Sequence, residues 1–227
     1  MHLKPRYVQR DCVEGDKIDL RQADAVLKHK PDIIIFELPQ SHNGKPGTIF
    51  NRYSCAHKPI EKVEAIIKGK KHAAKKFPYA ASDIAVWENI QRLWKQGVNV
   101  QIYNVDAPIK MRREYVAVEA TGYPSVRKDW LFWVYLYLRD TYMARNIKHI
   151  LDTYSLKSNP TILVCLQSIH WKHAQFLLTN PSSQKTWKYY FGKFPALTPS
   201  VVTSQVRRRN RVLGEYWKKL QHFTRVR

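Results

Sequence analysis

The chain has 227 residues, of which 44% are hydrophobic and 12% aromatic. It is therefore long and apolar enough for a globular core, and its composition excludes a disordered protein. The net charge of +21 favours contact with polyanions, nucleic acid first and acidic membrane surfaces second, although a wholly basic proteome gives the same charge. The sequence has three scattered cysteines and no signal-peptide pattern, which predicts a cytoplasmic protein. It has no apolar stretch of the roughly 18 to 20 residues that a membrane span needs, so no span is expected.

The first third of the chain predicts strand, helix, strand and loop. A short strand, RYV, lies at residues 6–8. Apolar residues at helical spacing predict a helix over residues 20–30, which Pro31 ends. The run DIIIFELP at residues 32–39 is almost continuously apolar and rich in β-branched residues, which predicts a parallel strand buried on both faces. Residues 40–58 are rich in turn formers and predict a long loop.

Two helices are predicted next. The first is expected to open at Pro59 and to continue over residues 60–77, with a lysine-rich face. Residues 81–97 have the clearest helical pattern in the chain. Ser82 or Asp83 is the expected N-cap of this second helix, and Gly97 is its expected end.

The second half predicts further alternation of strands and helices. Residues 98–108 alternate like a strand, and residues 126–154 predict one long aromatic helix or a pair of helices. TILVCL at 161–166 predicts a buried strand, and WKHAQFLL at 171–178 predicts a helix. Beyond Pro181 the chain is expected to be irregular, and its last basic segment has helical potential.

Strands that alternate with helices predict an α/β fold with a mainly parallel central sheet flanked by helices. We expect an α/β domain over residues 1–180, with a helical and loop insertion at 40–80. A basic C-terminal extension over residues 181–227 follows.

Ligands of such sheets bind beyond the carboxyl ends of the strands. Glu37, Asp106 and His170 each follow a predicted strand. A carboxylate next to a buried strand is costly unless it is paired or binds a metal, so Glu37 either caps or bridges a neighbouring element or belongs to a site. Asp106 precedes Ala-Pro, where aspartate is also a good turn former.

His170 is expected in the first turn of a helix, with Ser168 as the candidate N-cap. A helix N-terminus favours the neutral imidazole, which binds metals and accepts protons, but the same position suits a purely structural histidine. Arg139 and Asp140 interrupt an otherwise apolar helix. Arg139 either extends to solvent or pairs with a strand-end acid such as Glu37.

These segments resemble a known superfamily. Four segments carry the resemblance: KPDIIIFELP, the strand that ends in Asp106, LRDTYMARNIKHIL and ILVCLQSIH. They are similar to the TraB / TIKI / erythromycin esterase–ChaN-like proteins, and the similarity covers roughly residues 6–40 and 84–178. The family shares a strand-end glutamate, matched by Glu37, an arginine-bearing helix, matched by Arg139, and two Gly-x-x-His motifs after strands. His170 matches the second motif.

The sequence departs from both motifs. Gln167 replaces the glycine of the second motif, and Gln9-x-x-Cys12 is the best candidate for the first. If Cys12 replaces the histidine, Cys12, Glu37 and His170 could bind a divalent metal such as zinc or manganese, because thiolate and imidazole are good zinc ligands. The alternative is that catalysis is lost and only the scaffold remains.

The resemblance implies hydrolase chemistry, including metal-dependent peptide cleavage and lactone ester cleavage, and for one member heme binding. It implies that Glu37 is a general base or metal ligand and that His170, with Cys12, binds metal or transfers protons. Arg139 would hold an oxyanion or a carboxylate. It indicates no particular substrate or oligomeric state.

A second hypothesis is a non-catalytic protein that binds nucleic acid or another polyanion. Basic residues mixed with aromatic ones suit phosphate neutralisation and base stacking, although such runs also occur as solvated surfaces. The sequence has no zinc-finger spacing, RNP motif or glycine-rich phosphate loop. The candidate polyanion-binding residues are Lys70, Lys71, Lys75, Lys76, Arg112, Arg113, Arg207, Arg208, Arg209 and Arg211.

Overall fold

The computed structural model describes residues 5–10, 20–40, 47–50, 59–74, 79–108, 110–111, 113, 129–154, 159–180 and 184–223. Its strands are β1 Arg6–Gln9, β2 Ile33–Gln40, β3 Gly47–Phe50, β4 Gln101–Pro108 and β5 Thr161–Cys165. Its helices are α1 Arg21–His29, α2 Pro59–Ala74, α3 Tyr79–Lys95, α4 Trp130–Thr153, α5 Ser168–Thr179, α6 Gln184–Phe191, α7 Pro199–Arg209 and α8 Arg211–Phe223.

The described strands form one five-stranded sheet in the order β1-β5-β2-β4-β3. The strands β1, β5, β2 and β4 are parallel, and β3 pairs antiparallel with β4 at the edge. In the register of the central pair, Ile34 lies opposite Leu163 and Phe36 lies opposite Cys165. The predicted α/β class with a mainly parallel sheet is therefore confirmed.

Strand β2 is buried on both faces, as its continuous apolar run predicts. Ile34 and Phe36 point to the face that α1, α2 and α3 cover, where Phe36 stacks on Trp87 with ring centroids 5.5 Å apart. Ile33 and Ile35 alternate with them on the opposite face and are also fully buried. Burying a side chain of this size contributes roughly 1.5–3 kcal/mol, so this run anchors the sheet.

The ends of the first helices follow from local chemistry. Lys30 ends α1 in the left-handed region at φ 41°, with its N–H bonded to the carbonyl of Val26, and Pro31 follows. Gly97, at φ 78°, follows α3 as predicted. The predicted N-cap of α3 is wrong, because the helix already begins at Tyr79 and includes Ser82. The good helix former Ala81 lets the helix extend toward the N-terminus.

Two predictions of irregular structure are also wrong. Residues 47–50, inside the predicted 40–58 loop, form β3, because Thr48 and Phe50, which favour strands, pair with Tyr103 and Ile102 of β4. The rest of that predicted loop, at 41–46 and 51–58, lies outside the described residues.

The chain after Pro181 is helical rather than irregular. The N-terminus of α7 has a Thr198 N-cap, whose hydroxyl accepts the Val201 N–H, and Pro199 at its first position. The helical potential of the last segment is confirmed by α8. Packing of buried aromatic side chains such as Tyr190, Phe191 and Trp217 stabilises these short helices. The predicted long helix at 126–154 is confirmed as the single helix α4.

The chain divides into two compact units. Unit 1 comprises Met1–Glu37, Gly47–Asn104 and Leu151–Trp171. Unit 2 comprises Leu38–Pro46, Val105–Ile150 and Lys172–Arg227. The predicted boundary at residue 180 stays a prediction. No described helix is long and apolar enough to cross a membrane.

Candidate functional site

Glu37 and His170 meet at the carboxyl edge of the sheet in unit 1. Glu37 follows Phe36 on β2, and Phe36 lies opposite Cys165, the last residue of the neighbouring parallel strand β5. The chain then turns through Gln167 into α5, which begins at Ser168. His170 is therefore in the first turn of a helix that begins beside the end of β2.

Direct contacts define the geometry of this pair. Glu37 Oε2 accepts a hydrogen bond of 2.8 Å from the backbone N–H of Gln167. The other oxygen, Oε1, lies 3.9 Å from His170 Nε2. This separation is longer than a direct hydrogen bond. The side chains are 10% and 4% exposed respectively, so both groups are largely shielded from solvent.

The Gln167 peptide fixes both partners. Its N–H binds the Glu37 carboxylate, and its carbonyl accepts the N–H of Trp171 in the first turn of α5. The acid thus satisfies an amide at the start of the helix, where partial positive charge favours an anion. The sequence left open whether Glu37 caps a neighbouring helix or belongs to a site, and the structure shows it bound at a helix start with a histidine beside it.

Strand β1 brings a third set of polar groups to the same edge. Gln9, its last residue, donates from Nε2 to the carbonyl of Leu166 at 3.2 Å. Arg10 follows, and its Nη1 donates to the Gln9 carbonyl at 2.7 Å. Cys12, the proposed third metal ligand, lies outside the described residues.

Arg139 and Asp106 form a buried ion pair in unit 2. Nε and Nη2 of Arg139 donate to Oδ1 and Oδ2 of Asp106, both at 2.8 Å. Oδ1 also accepts the backbone N–H of Ala107 at 2.7 Å. Asp106 is completely buried and the Arg139 side chain is 8% exposed. The strand-end acid that Arg139 binds through this fork is thus Asp106, whereas the sequence suggested an acid such as Glu37.

A second buried network in unit 2 has no counterpart among the sequence predictions. Asp140 Oδ2 accepts hydrogen bonds from His173 Nδ1 at 2.6 Å and from the Tyr190 hydroxyl at 2.8 Å. Burial and the Asp140 carboxylate raise the pKa of Tyr190 far above its usual value, so this phenol stays protonated and donates. The signal in the sequence was Asp140 itself, a charge in an apolar helix that needs partners.

His173 is held in one tautomer by this arrangement. A carboxylate can only accept, so Nδ1 carries the proton in the neutral ring and Nε2 carries the lone pair. The rings of Tyr189 and Tyr190 meet the imidazole edge-on, with centroids 5.0 and 5.4 Å away. These contacts and the hydrogen bond to Asp140 fix the ring on several sides, which suits a structural role.

Glu37 and His170 were predicted as metal ligands, and their spacing can be compared with that of a zinc site. Two ligands on one tetrahedral zinc lie about 3.3–3.5 Å apart, so the 3.9 Å between Glu37 Oε1 and His170 Nε2 is close to the required spacing. No group of three or more His, Cys, Asp or Glu side chains in the described part of the chain could hold a metal ion. Glu37 and His170 can therefore provide two ligands, and a metal-bound state needs at least one more.

The candidate polyanion-binding residues are divided among several surfaces. Lys70 and Lys71 lie on α2, and Lys71 pairs with Glu88 at 3.2 Å. Arg113 lies outside that helix and is exposed. In unit 2, Arg207, Arg208 and Arg209 form the last turn of α7, and Arg211 begins α8. Lys75, Lys76 and Arg112 lie outside the described residues.

The arginines of α7 and α8 differ in their surroundings. Arg209 makes a bidentate pair with Asp129 at 2.9 Å and lies 5.2 Å from the Trp130 ring centroid. Arg211, with a side chain 83% exposed, approaches Glu215 at 3.4 Å. Arg207 lines an open pocket of about 330 Å³ together with Gly214, Glu215, Lys218 and Lys219.

A scan against protein-family models, a search of curated proteins and a search of solved structures gave no match for this chain.

Proposed function

We propose that this chain is a hydrolase of the TraB / TIKI / erythromycin esterase–ChaN-like type, in which Glu37 and His170 transfer the protons. The observation that carries the proposal is the shielded acid–imidazole pair at the carboxyl ends of β2 and β5, with 3.9 Å between the two groups. Ligand sites of parallel sheets lie at this edge. The resemblance of KPDIIIFELP and ILVCLQSIH to that superfamily supports the same reaction class.

In this mechanism Glu37 removes a proton from the water that attacks an ester or peptide carbonyl, and His170 donates a proton to the leaving group. The Gln167 amide holds Glu37 in place for this role. In the alternative metal-bound form, Glu37 and His170 would be ligands instead, and a zinc or manganese ion held there would supply Lewis acidity and lower the pKa of a bound water. Arg139 takes no proton in the proposal and instead positions α4 through its fork to Asp106.

The test is hydrolysis by the purified, intact chain on a panel of aryl esters, lactones and peptides. We expect Glu37→Gln and His170→Asn each to lower kcat/KM by about 10²- to 10⁴-fold, the usual contribution of a general acid or base. Glu88→Gln is the matched control, because Glu88 is an exposed acid of the same unit, and it should leave activity unchanged.

The metal is tested in parallel by chelation and by adding zinc or manganese back, with Cys12→Ser beside His170→Asn. Thermal unfolding of each variant shows whether a loss of activity reflects loss of the fold. The proposal is wrong if no member of the panel is hydrolysed, or if Glu37→Gln and His170→Asn retain wild-type rates.

A second candidate function, nucleic-acid binding, is favoured by the basic pocket of α7 and α8. Among the described residues, Arg207, Lys218, Lys219 and the carboxylate of Glu215 line it. A Cβ on Gly214 would lie 2.6 Å from the Arg207 Cα, so a glycine is needed where the two helices approach. The resulting recess offers several cations to one phosphate chain.

This candidate is tested by fluorescence anisotropy with labelled single-stranded RNA and DNA at several salt concentrations. Removing one cation that binds a phosphate should make the slope of log affinity against log salt shallower by about one. Arg207→Gln and Lys218→Gln should do so, whereas Arg92→Gln, which removes an exposed charge from unit 1, should not. Equal effects of all three variants would mean diffuse attraction and no defined interface.

A further inference from the structure

A second pocket lies in unit 1 at the end of β1, outside the pair described above. It has a volume of about 430 Å³. Among the described residues it is lined by Gln9 and Arg10 from the end of β1 and by Arg21, Asp24, Ala25 and Lys28 from α1. Three of these side chains are cations and one is a carboxylate.

The lining of this pocket is a consequence of helical spacing. Residues 21, 24, 25 and 28 of α1 are separated by three, one and three positions, so they share one face of the helix. The small buried Ala25 leaves room at the centre of this face, while Arg21 and Lys28 are exposed on either side of it. The helix therefore presents its cations around a gap.

The floor of the pocket is held in place by hydrogen bonds. Arg10 is half-buried, and its Nη1 donates to the Gln9 carbonyl at 2.7 Å, which orients the guanidinium. Gln9 in turn binds the Leu166 carbonyl through its side chain. An oriented guanidinium loses little entropy on binding, and its planar fork matches an oxyanion.

The positive charge near this pocket affects the pKa of His29, the last residue of α1. Burial first, and then the positive charges of Lys28, Arg6 and Arg10, lower the pKa of its imidazole. Two of these three cations, Lys28 and Arg10, also line the pocket. An oxyanion in the pocket would relieve that charge.

The pocket is linked to the candidate catalytic pair through two hydrogen bonds. Gln9 binds the carbonyl of Leu166, and the next residue, Gln167, donates its N–H to Glu37. Strand β5 separates β1 from β2, and neighbouring strands lie about 4.8 Å apart, so the ends of β1 and β2 are about 10 Å apart. A small molecule can span that distance.

We propose that this pocket binds an oxyanion, a phosphate or a carboxylate group, through Arg10 and Lys28. Its role as the subsite for an anionic end of the substrate rests on the proposed hydrolase function, whereas oxyanion binding itself does not. The substrate class is then an ester or amide that also carries a negatively charged group.

The test is calorimetric titration of the intact protein with inorganic phosphate and with acetate, in chloride at constant ionic strength. We expect saturable binding that Arg10→Gln weakens about tenfold and Lys28→Gln about threefold, since charge-assisted hydrogen bonds are the stronger ones and tenfold corresponds to 1.4 kcal/mol. Lys95→Gln is the matched control, because Lys95 is an exposed cation of unit 1 that does not line the pocket, and it should bind as the wild type does.

Comparing the affinities for phosphate and acetate indicates which anionic group the pocket binds in its natural ligand. Tighter binding of phosphate supports a phosphorylated ligand, and tighter binding of acetate supports a carboxylate. The His29 imidazole is an independent reporter, since occupation of the pocket should raise its pKa in an NMR titration. Absence of saturable binding, or equal weakening by Lys28→Gln and Lys95→Gln, would overturn the proposal.

The failure of this inference and that of the proposed function can be separated. Glu37→Gln should keep phosphate or acetate binding, because Glu37 does not line the pocket. Lys28-dependent binding in a chain without hydrolytic activity supports the pocket and contradicts the hydrolase. Glu37-dependent hydrolysis with anion binding that is insensitive to Arg10 and Lys28 supports the hydrolase and contradicts the pocket.

Discussion

The two units use acidic residues in different ways. In unit 2, Asp106 and Asp140 are completely buried, and their oxygens lie 2.6 to 2.8 Å from the arginine, histidine and tyrosine that bind them. In unit 1, Glu37 keeps 10% of its side chain exposed and lies 3.9 Å from His170. Pairs joined by short, direct hydrogen bonds hold elements together, whereas Glu37 and His170 lie farther apart than a direct hydrogen bond. This difference is why we assign chemistry to Glu37 and structure to Asp106 and Asp140.

The largest effect expected from this comparison is on Arg139. Arg139→Met leaves the Asp106 carboxylate buried without its main partner and should lower the free energy of unfolding by about 3–5 kcal/mol. Urea unfolding at pH 7 measures it. The comparator is Arg209→Met, which breaks the bidentate pair with Asp129, whose side chains are 45% and 32% exposed, and should cost less than about 1 kcal/mol. Equal losses for both variants would contradict the role assigned to burial.

Tyr190→Phe should have the next largest effect. It removes the hydroxyl that donates to Asp140, and loss of a hydrogen bond to a charged group costs about 1.5–3 kcal/mol. Tyr189→Phe, at a neighbouring side chain that is 50% exposed, should change the free energy of unfolding by less than about 0.5 kcal/mol. A stability of Tyr190→Phe equal to that of Tyr189→Phe would show that the Asp140 network is not structural.

Glu37→Gln should change stability by no more than about 1 kcal/mol, because the amide oxygen can still accept the Gln167 N–H. Chemical denaturation of Glu37→Gln and Asp106→Asn side by side tests this. A greater loss for Glu37→Gln than for Asp106→Asn would place Glu37 in the structural class and remove the basis of the comparison.

The smallest effect concerns the cations of unit 1. Lys28→Gln should raise the pKa of His29, because Lys28 is one of the charges that lower it, and Lys95→Gln should leave that pKa unchanged. A histidine NMR titration reads both. Since the folded pKa lies below the unfolded value of about 6.5, the unfolded chain binds this proton more tightly, and the His29 contribution to stability is lost as the pH falls below that value. A His29 pKa that is the same in Lys28→Gln and in the wild type would mean that solvent screens the charge of Lys28.

Much of the fold is predictable from the sequence because its strands have a simple signal. The run at Ile33–Phe36 is apolar without interruption, and polar residues follow it directly. The same holds for the run that ends at Cys165 and is followed by Gln167. Two buried strands of one parallel sheet end at the same edge, so Glu37 and His170 were expected to converge there.

The partners within unit 2 were not predictable in the same way. The side chains of Arg139 and Asp106 are separated by 33 positions, and those of Asp140 and Tyr190 by 50. A charged residue in an apolar helix predicts that the side chain has a partner. It does not predict which residue that partner is, because this depends on how the helix packs. Strand β3 was missed for a related reason, since a four-residue edge strand depends on its neighbour β4 more than on its own residues.

The position of β5 has a consequence for how the protein is made. Strand β1 pairs with β5, and the bond from Gln9 to Leu166 joins residues 157 positions apart. On the ribosome, β1 therefore cannot pair with β5 until the chain has been synthesised to about Leu166, 157 positions after Gln9. Contacts of such long range form slowly, and the exposed strands invite intermolecular association in the meantime. Synthesis rate and chaperone supply should thus decide the yield of soluble protein.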